Sequence, residues 1–314
     1  MLEDSPLPTP RLHVTACSRT PLDFICIGAQ KAGTTWLYAM LRRHPQFWLP
    51  PVKELHYFDR SPTYPSENFL ACDHPIPRLF GAGEYSREFQ KKFRKLLHQA
   101  YTERSWATFK WSLRFGLGKV NDQWYTALFN DGSSFVRGEI SPSYSMLDSQ
   151  DVSRVKGLAP RLKIILLLRS PIERAWSQIR FDWARGLLGD IESFECVRQF
   201  VDSPRQALRG DYMRTLENWG THFPPEQLFV GFYDDIAERP ATALTSILQF
   251  LGCDPLRAPK SEDLRKKVHV SKKKEMPLEI RQYLATKYYN DLVRLADRFG
   301  GHPENWRRTA ELFL

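Results

Sequence analysis

The sequence has few cysteines, and their spacing excludes the structural roles that cysteines most often have. The 314-residue chain contains five of them, odd in number, scattered and without a CxxC pair: Cys17, Cys26, Cys72, Cys196 and Cys253. This pattern suggests neither a zinc site nor a disulfide framework. A reducing compartment fits it best, and we predict a cytoplasmic protein.

Long apolar runs are also missing. No segment approaches the roughly 20 apolar residues of a membrane span, and the opening MLEDSPLPTP has no basic region followed by an apolar core, as a signal peptide would. Residues 1–20, rich in Pro, Ser and Thr, are predicted to form a flexible arm. Residues 21–314 are predicted to form one domain, with loop or lid insertions near 60–85 and 185–210.

The composition is that of a globular protein with a preference for anions. Apolar residues make up 42% of the chain and aromatic residues 13%, enough for one large core. The net charge of +9 favours a nucleotide, a nucleic acid, an acidic glycan or a membrane surface as partner. Charge alone does not choose among these four.

Three short apolar runs predict buried strands, and a helical pattern follows each of them: residues 22–28, 162–168 and 228–233. Pro171 suits the first turn of the helix after the second run, and Gly252 suits the end of a helix over about 241–251. Strands that alternate with helices predict an α/β fold with a central, mostly parallel sheet flanked by helices.

The first strand runs into the sequence IGAQKAGTTW, residues 27–36. A strand-loop-helix turn of this kind presents backbone N–H groups and the positive end of a helix dipole, so its natural ligand is an anion. Gly28 and Gly33 have the spacing of a Walker A loop, but Lys31 lies inside the loop and not directly after Gly33. This position disfavours a Mg²⁺-dependent nucleoside triphosphatase.

The run Gln30–Trp36 resembles the 5′-phosphosulfate loop of the sulfotransferases that use 3′-phosphoadenosine-5′-phosphosulfate (PAPS), a family with a P-loop-NTPase-like fold. The resemblance implies that Lys31 contacts the bridging oxygen and the phosphosulfate. It also implies that backbone amides and hydroxyls hold the 5′-phosphate, namely those of Ala32, Gly33, Thr34 and Thr35. Trp36 resembles the residue that stacks on adenine in cytosolic members, although core packing is an alternative role.

Two further segments resemble the family's 3′-phosphate site. Leu166–Ser177 is similar to the motif in which an arginine and a serine bind that phosphate, and this gives Arg169 and Ser177 those roles. Ser271–Pro277 resembles the basic loop that closes over the 3′ side in glycan sulfotransferases, with Lys272 and Lys274 as contacts. A run of three lysines is also typical of a solvated loop.

The segment Pro50–Asp59 is the candidate source of a general base. The segment is predicted to be extended, and alternation then places Glu54, His56 and Phe58 on one side. It resembles the Lys-Glu-x-His-Phe-Phe segment of heparan-type and bacterial sulfotransferases, in which the glutamate is the base. The resemblance implies that Glu54 is the base, that His56 is its neighbour or a substrate contact, and that Lys53 and Asp59 are supporting residues of the substrate site.

One departure from the family pattern concerns the catalytic charge. Gly138–Tyr144 resembles a segment of the glycan enzymes that contains a lysine, but Ile140 stands at that position. Either Lys31 alone supplies the positive charge, or an arginine such as Arg209 contributes from a loop.

We therefore predict an enzyme that transfers the sulfuryl group of PAPS to a hydroxyl or amine, with a carbohydrate as the favoured acceptor and PAP as product. The alternative is a small-molecule, lipid or polyketide alcohol, with His56 as base. A P-loop kinase or a non-catalytic anion-binding module fits less well, because the strand ending at Leu168 is followed by an arginine and the aromatics lie in apolar runs. We predict no metal ion and no nucleic-acid partner; the oligomeric state is left open.

Overall fold

The computed structural model describes residues 20–66, 69–70, 72–259, 264 and 274–314. The strands in this part of the chain are β1 (Phe24–Gly28), β2 (Phe47–Trp48), β3 (Val136–Ile140), β4 (Lys163–Leu168) and β5 (Leu228–Phe232). The α-helices are α1 (Thr34–Arg43), α2 (Pro75–Phe80), α3 (Glu84–Thr102), α4 (Trp106–Leu117), α5 (Asp122–Ala127), α6 (Ser149–Leu158), α7 (Pro171–Ala184), α8 (Phe194–Asp202), α9 (Pro204–Gly210), α10 (Tyr212–His222), α11 (Tyr233–Glu238), α12 (Pro240–Leu251), α13 (Leu278–Phe299) and α14 (Gly301–Glu311). Residues 1–19 of the predicted arm lie outside the described part.

The strands form one parallel sheet in the order β2-β3-β1-β4-β5. Because parallel strands end at the same edge, the segments that follow β1, β4 and β5 emerge side by side. The chain crosses from one side of β1 to the other between β3 and β4. The loop after β1 thus lies at the switch point where α/β sheets bind ligands, and the predicted α/β fold is confirmed.

The first strand and helix form because their residues suit a buried strand and an amphipathic helix. All five residues of β1, FICIG, are buried, as expected of a parallel strand covered on both faces. Leu37, Met40 and Leu41 of α1 are buried at the spacing of one helical face. This packing fixes both ends of the loop that joins the two elements.

The two predicted loop insertions contain helices, so that prediction is wrong in part. Residues 60–85 include α2 and the start of α3, and residues 185–210 include α8 and α9. Pro75 and Pro204 lie in the first turns of α2 and α9, where proline is tolerated, and the Ser193 side chain caps α8 by accepting the Cys196 N–H. Pro75 and Pro204 in these two segments thus begin helices.

Two other features concern how the helices end and pack. Gly252, with a φ of 77°, ends α12 as the sequence predicts. Helix α13 packs against α7 and pairs with α14. No helix in the described ranges combines the length and apolarity that crossing a membrane requires.

Candidate active site

The phosphate loop, residues 28–33, has the geometry of an anion-binding turn. Lys31 and Gly33 have φ angles of 70° and 95°, and Gly33 is the N-cap of α1. The first N–H groups of α1 have no partner inside the helix, and the helix dipole favours negative charge there. A Cβ at Gly33 would lie 3.0 Å from Ile236 Cδ1 and 3.4 Å from a Tyr233 ring carbon. The position therefore suits only glycine.

Lys31 is largely enclosed. Its Nζ lies 3.9 Å from the centroid of the Phe181 ring in α7. Burial, followed by the positive charge of Arg169, lowers the pKa of Lys31 to about 8. An anion bound in the loop would favour the protonated form, so this side chain is poised to gain from a negatively charged ligand.

Arg169, the first residue after β4, is held from several directions. Its Nη1 donates to the Lys31 carbonyl oxygen at 3.2 Å, its guanidinium lies 4.4 Å from the Tyr233 ring centroid, and its Nη2 is 3.9 Å from Glu173 Oε2. Ser177 lies about two turns further along α7 and is buried. A planar guanidinium fixed at the edge of the sheet suits a phosphate, and it lies directly beside the phosphate loop.

The base segment, residues 53–59, is joined to the phosphate loop by one side chain. Lys53 Nζ donates to Thr35 Oγ1 at 3.3 Å and to Glu54 Oε1 at 2.6 Å. His56 Nε2 lies 3.8 Å from Glu54 Oε2. Lys53 and Glu54 thus form an ion pair that lies against the helix that begins at the phosphate loop.

The expectation of an extended base segment is wrong. Glu54 and His56 have φ angles of 63° and 54°, in the left-handed region, and no strand is formed. The two side chains are neighbours because of this unusual backbone and not because of strand alternation. Phe58 is buried against Tyr125 and Tyr144 and belongs to the core.

Asp59 is buried and supports His56. Its Oδ2 lies 2.7 Å from His56 Nδ1, and the Ser143 hydroxyl is 3.3 Å from the same nitrogen. With 0% of Asp59 exposed, its predicted place among the substrate contacts does not fit. The Asp59 carboxylate fixes the orientation of the imidazole and stabilises its protonated form.

The protonation states of the two candidate bases differ. Burial opposes the charge of Glu54, but Lys53 and His56 outweigh it and hold the pKa of Glu54 below its ordinary value. Burial also opposes the charge of His56, but Asp59 outweighs it and holds the pKa of His56 above its ordinary value. The two shifts favour the ionised form of Glu54 and the protonated form of His56.

Comparison with known proteins decides the family. Residues 21–295 match the model of the sulfotransferase domain. The chain belongs to the sulfotransferase family. A crystal structure of a sulfotransferase from Alicyclobacillus acidocaldarius shares the fold, with a TM-score of 0.60 and 21% identity over 91% of this chain and 98% of that one. We conclude that the chain is a transferase of the sulfotransferase class.

The similar sequences include enzymes that act on glycans. Human bifunctional heparan sulfate N-deacetylase/N-sulfotransferase 2 is 24% identical over 254 residues, which cover 76% of this chain and 23% of the relative. Rat carbohydrate sulfotransferase 15 is 24% identical over 271 residues, which cover 74% of this chain and 44% of the relative. The chain therefore spans less than half the length of either relative.

Three further residues of this sulfotransferase are predicted donor contacts, and the structure describes two of them. Trp36 is buried, and its Nε1 donates to the Leu264 carbonyl oxygen at 3.0 Å. Lys274 lies against α7, where its carbonyl oxygen accepts from Trp176 Nε1 at 3.2 Å, and its Nζ pairs with Glu192 Oε1 at 2.8 Å. Lys272 lies outside the described residues.

The structure shows the surroundings of Ile140 and Arg209, the two residues on which a second catalytic cation depends. Ile140 is buried at the end of β3. Arg209 is predicted to reach in from a loop, but it lies in the last turn of α9 and is buried, with Nη2 3.5 Å from the Pro65 carbonyl oxygen. Its loop position is therefore wrong, because Pro204 begins a helix there.

Sequence reasoning misses two residues at this site. Tyr233 packs on Arg169, and its position as the last residue of the predicted strand 228–233 was a usable signal, since ligands bind at the carboxyl ends of strands. Lys92 of α3 lies 4.2 Å from the Phe69 ring centroid, and that ring contacts His56 edge-on at 5.5 Å. No local signal identifies Lys92, because only the tertiary fold brings α3 to the base segment.

Proposed function

We propose that this sulfotransferase takes the sulfuryl group from PAPS and transfers it to a hydroxyl or amine by in-line displacement. The contact of Lys53 with both Thr35 and Glu54 carries the proposal. Because one ammonium group touches the helix that begins at the phosphate loop and the candidate base, donor site and base are adjacent. In-line transfer needs such proximity.

The residues around the phosphate loop fit PAPS as donor. The N–H groups of the first turn of α1, with Thr34 and Thr35, would hold the 5′-phosphate, while Arg169 and Ser177 would hold the 3′-phosphate. When bound, PAPS supplies an electrophilic sulfuryl group on a phosphate leaving group. Lys31 would stabilise the negative charge that develops on the departing oxygen. Trp36 remains the proposed contact for adenine.

Glu54 suits the role of general base better than His56. The Glu54 side chain is 31% exposed and its pKa is held below the ordinary value, whereas the His56 side chain is 6% exposed and its pKa is held above the ordinary value. A carboxylate with a low pKa is a weak base, so the proton must move as the bond to sulfur forms. The acceptor oxygen gains the bond to sulfur, the bond from sulfur to the phosphate oxygen breaks, Glu54 takes the acceptor's proton and PAP leaves.

We propose a carbohydrate as acceptor and a cytoplasmic location. The relatives named for heparan sulfate and for carbohydrates support the acceptor, and a small alcohol, lipid or polyketide is the alternative. The proposal requires no metal ion. Within the described ranges, no three His, Cys, Asp or Glu side chains form a candidate metal site, and the predicted absence of a metal stays a prediction.

Ligand binding tests the donor. Thermal unfolding should be measured with PAP, with AMP and with ATP plus Mg²⁺, because a ligand at about 100 times its dissociation constant adds about 2.7 kcal/mol of stability. PAP should raise the melting temperature at the lowest concentration. A preference for ATP with Mg²⁺ would contradict the proposal.

Transfer of radiolabelled sulfate tests the acceptor and the base. PAPS is offered with an unsulfated uronic-acid polysaccharide, with p-nitrophenol and with a long-chain alcohol, and the polysaccharide should be labelled fastest. On that acceptor Glu54→Gln should lower kcat by at least about a hundredfold with PAP affinity unchanged. If Glu54→Gln stays within tenfold of the wild type while His56→Gln is inactive, the base is His56.

A further inference from the structure

The base segment has a backbone conformation that its own residues do not favour. Glu54 and His56 are both in the left-handed region, separated by one residue. A non-glycine residue in this region is sterically strained. Contacts from elsewhere in the fold must therefore hold the segment.

Two hydrogen bonds to the backbone do so, and they flank His56 on either side. The Leu55 N–H donates to Glu139 Oε1 at 3.1 Å, and the Tyr57 N–H donates to the Tyr144 hydroxyl at 2.9 Å. These amide groups belong to the residues directly before and after His56. Their orientation therefore fixes the direction in which the imidazole and the neighbouring Glu54 side chain point.

The two acceptors form one rigid unit. The Tyr144 hydroxyl donates to Glu139 Oε1 at 2.9 Å, and the Ser141 hydroxyl donates to the same oxygen. Glu139 Oε2 accepts from the Tyr125 hydroxyl at 2.6 Å. Glu139 is 2% exposed and Tyr144 is 0% exposed, and both are fixed by the end of β3 and the turn that follows it.

Glu139 is not placed to exchange protons with a substrate. It is enclosed, and its two carboxylate oxygens accept from one N–H and three hydroxyl groups. A buried carboxylate that only accepts hydrogen bonds fixes the positions of the groups that donate to it. Its action on the reaction must pass through the residues that it orients.

We propose that Glu139 and Tyr144 are positioning residues that clamp the backbone on both sides of His56 and thereby set the direction of Glu54. The inference rests on the proposed function only in treating Glu54 as the base. It gives the segment Gly138–Tyr144 a role that does not depend on a cation at position 140. We call these two residues the clamp.

Amide hydrogen exchange tests the clamp without reference to activity. In the wild-type chain, the Leu55 and Tyr57 amides should be protected, and Tyr144→Phe should speed exchange at Tyr57 by at least about tenfold. Tyr64→Phe is the matched control, because the Tyr64 hydroxyl also accepts a backbone N–H, from Asp148, and donates to a carboxylate, Asp151. Equal exchange at Tyr57 in wild type and Tyr144→Phe overturns the proposal.

Kinetics tests whether the clamp acts on the base. Tyr144→Phe should lower kcat at least about tenfold while KM for PAPS and PAP affinity stay within about twofold, and Tyr64→Phe should change neither. Glu139→Gln keeps an oxygen for the Leu55 N–H and should retain kcat within about threefold. Glu139→Leu has no such oxygen and should lose about thirtyfold.

The outcomes separate the clamp from the proposed function. If Glu139→Leu does not fold, the exchange and kinetic measurements on Tyr144→Phe decide whether the clamp exists. If Glu54→Gln is inactive but Tyr144→Phe has full kcat, the clamp is wrong and the base assignment stands. If no acceptor is sulfated by the wild type, the proposed function fails, and hydrogen exchange at Leu55 and Tyr57 still decides the clamp.

Discussion

The phosphate loop and the base segment both contain non-glycine residues in the left-handed region, but they are held there in different ways. Lys31 lies between a buried strand and a helix that are its immediate neighbours in the chain, with Gly33 at the junction. The base segment has no regular structure, and its backbone bonds to Glu139 and Tyr144, more than eighty residues away. A local frame sets the first region, and tertiary contacts set the second.

This difference predicts that the two regions fail differently on substitution. A change in the phosphate loop should weaken donor binding as well as the rate of transfer. A change at Glu54 or His56 of the base segment should lower the rate and leave donor binding intact. Four predictions, from the largest expected effect to the smallest, can break or sharpen this comparison.

Lys31→Met should have the largest effect. Loss of the ammonium group removes the positive charge that stabilises the departing oxygen. We therefore expect the rate of transfer to fall about a thousandfold and PAP affinity to fall about tenfold. Single-turnover kinetics and calorimetry measure the two quantities, with the exposed Lys119→Met as control. Undiminished PAP affinity in Lys31→Met would erase the contrast with Glu54→Gln.

Asp59→Asn should cost about 3 kcal/mol of unfolding free energy at pH 6, because it removes one partner of a buried ion pair. The sign of its pH dependence follows from the raised pKa of His56. Stability from a raised histidine pKa is fully present below about pH 6.5 and is lost as pH rises through the folded-state pKa. Denaturant unfolding should therefore show a smaller difference from wild type at pH 9. An equal loss at both pH values would mean that His56 is not charged.

Donor binding should weaken at alkaline pH because Lys31 loses its proton. Its pKa is lowered to about 8 by burial and by Arg169, whereas a bound phosphate favours the protonated form, so PAP binding takes up a proton above that pH. We expect PAP affinity to fall about tenfold between pH 7 and 9.5. Calorimetry in buffers of different ionisation enthalpy measures the proton uptake. The same slope in Lys31→Met would assign it to another group.

Gly33→Ala should have the smallest effect on stability, a loss of about 1 kcal/mol, because alanine is strained at a φ of 95° and its Cβ would contact Ile236. Gly157 of α6 is the matched control, since a Cβ there has no contact within 4 Å and its φ is ordinary. Gly157→Ala should stabilise the helix by about 0.5 kcal/mol or more. Thermal unfolding measures the change in stability of each variant. A change of the same sign in both would contradict this explanation.

The same difference explains how much the sequence could predict. The turn from β1 into α1, the buried strands and Gly252 depend on neighbouring residues, so glycine spacing and apolar runs predict their local structure correctly. Glu54 and His56 are brought together by a left-handed backbone that alternation cannot predict, and Lys92 comes from a helix inserted between β2 and β3. The single-domain boundary, the roles of the site residues and the acceptor stay predictions.

Lys53 has a consequence for how changes combine in evolution. Its ammonium group bonds to Thr35 on one side and Glu54 on the other, so the two regions share a component. Substitutions at residues that share a partner are generally not additive. Homologues that vary at position 35 should therefore be expected to vary at 53 or 54 as well, and the effect of a single exchange will depend on the background in which it occurs.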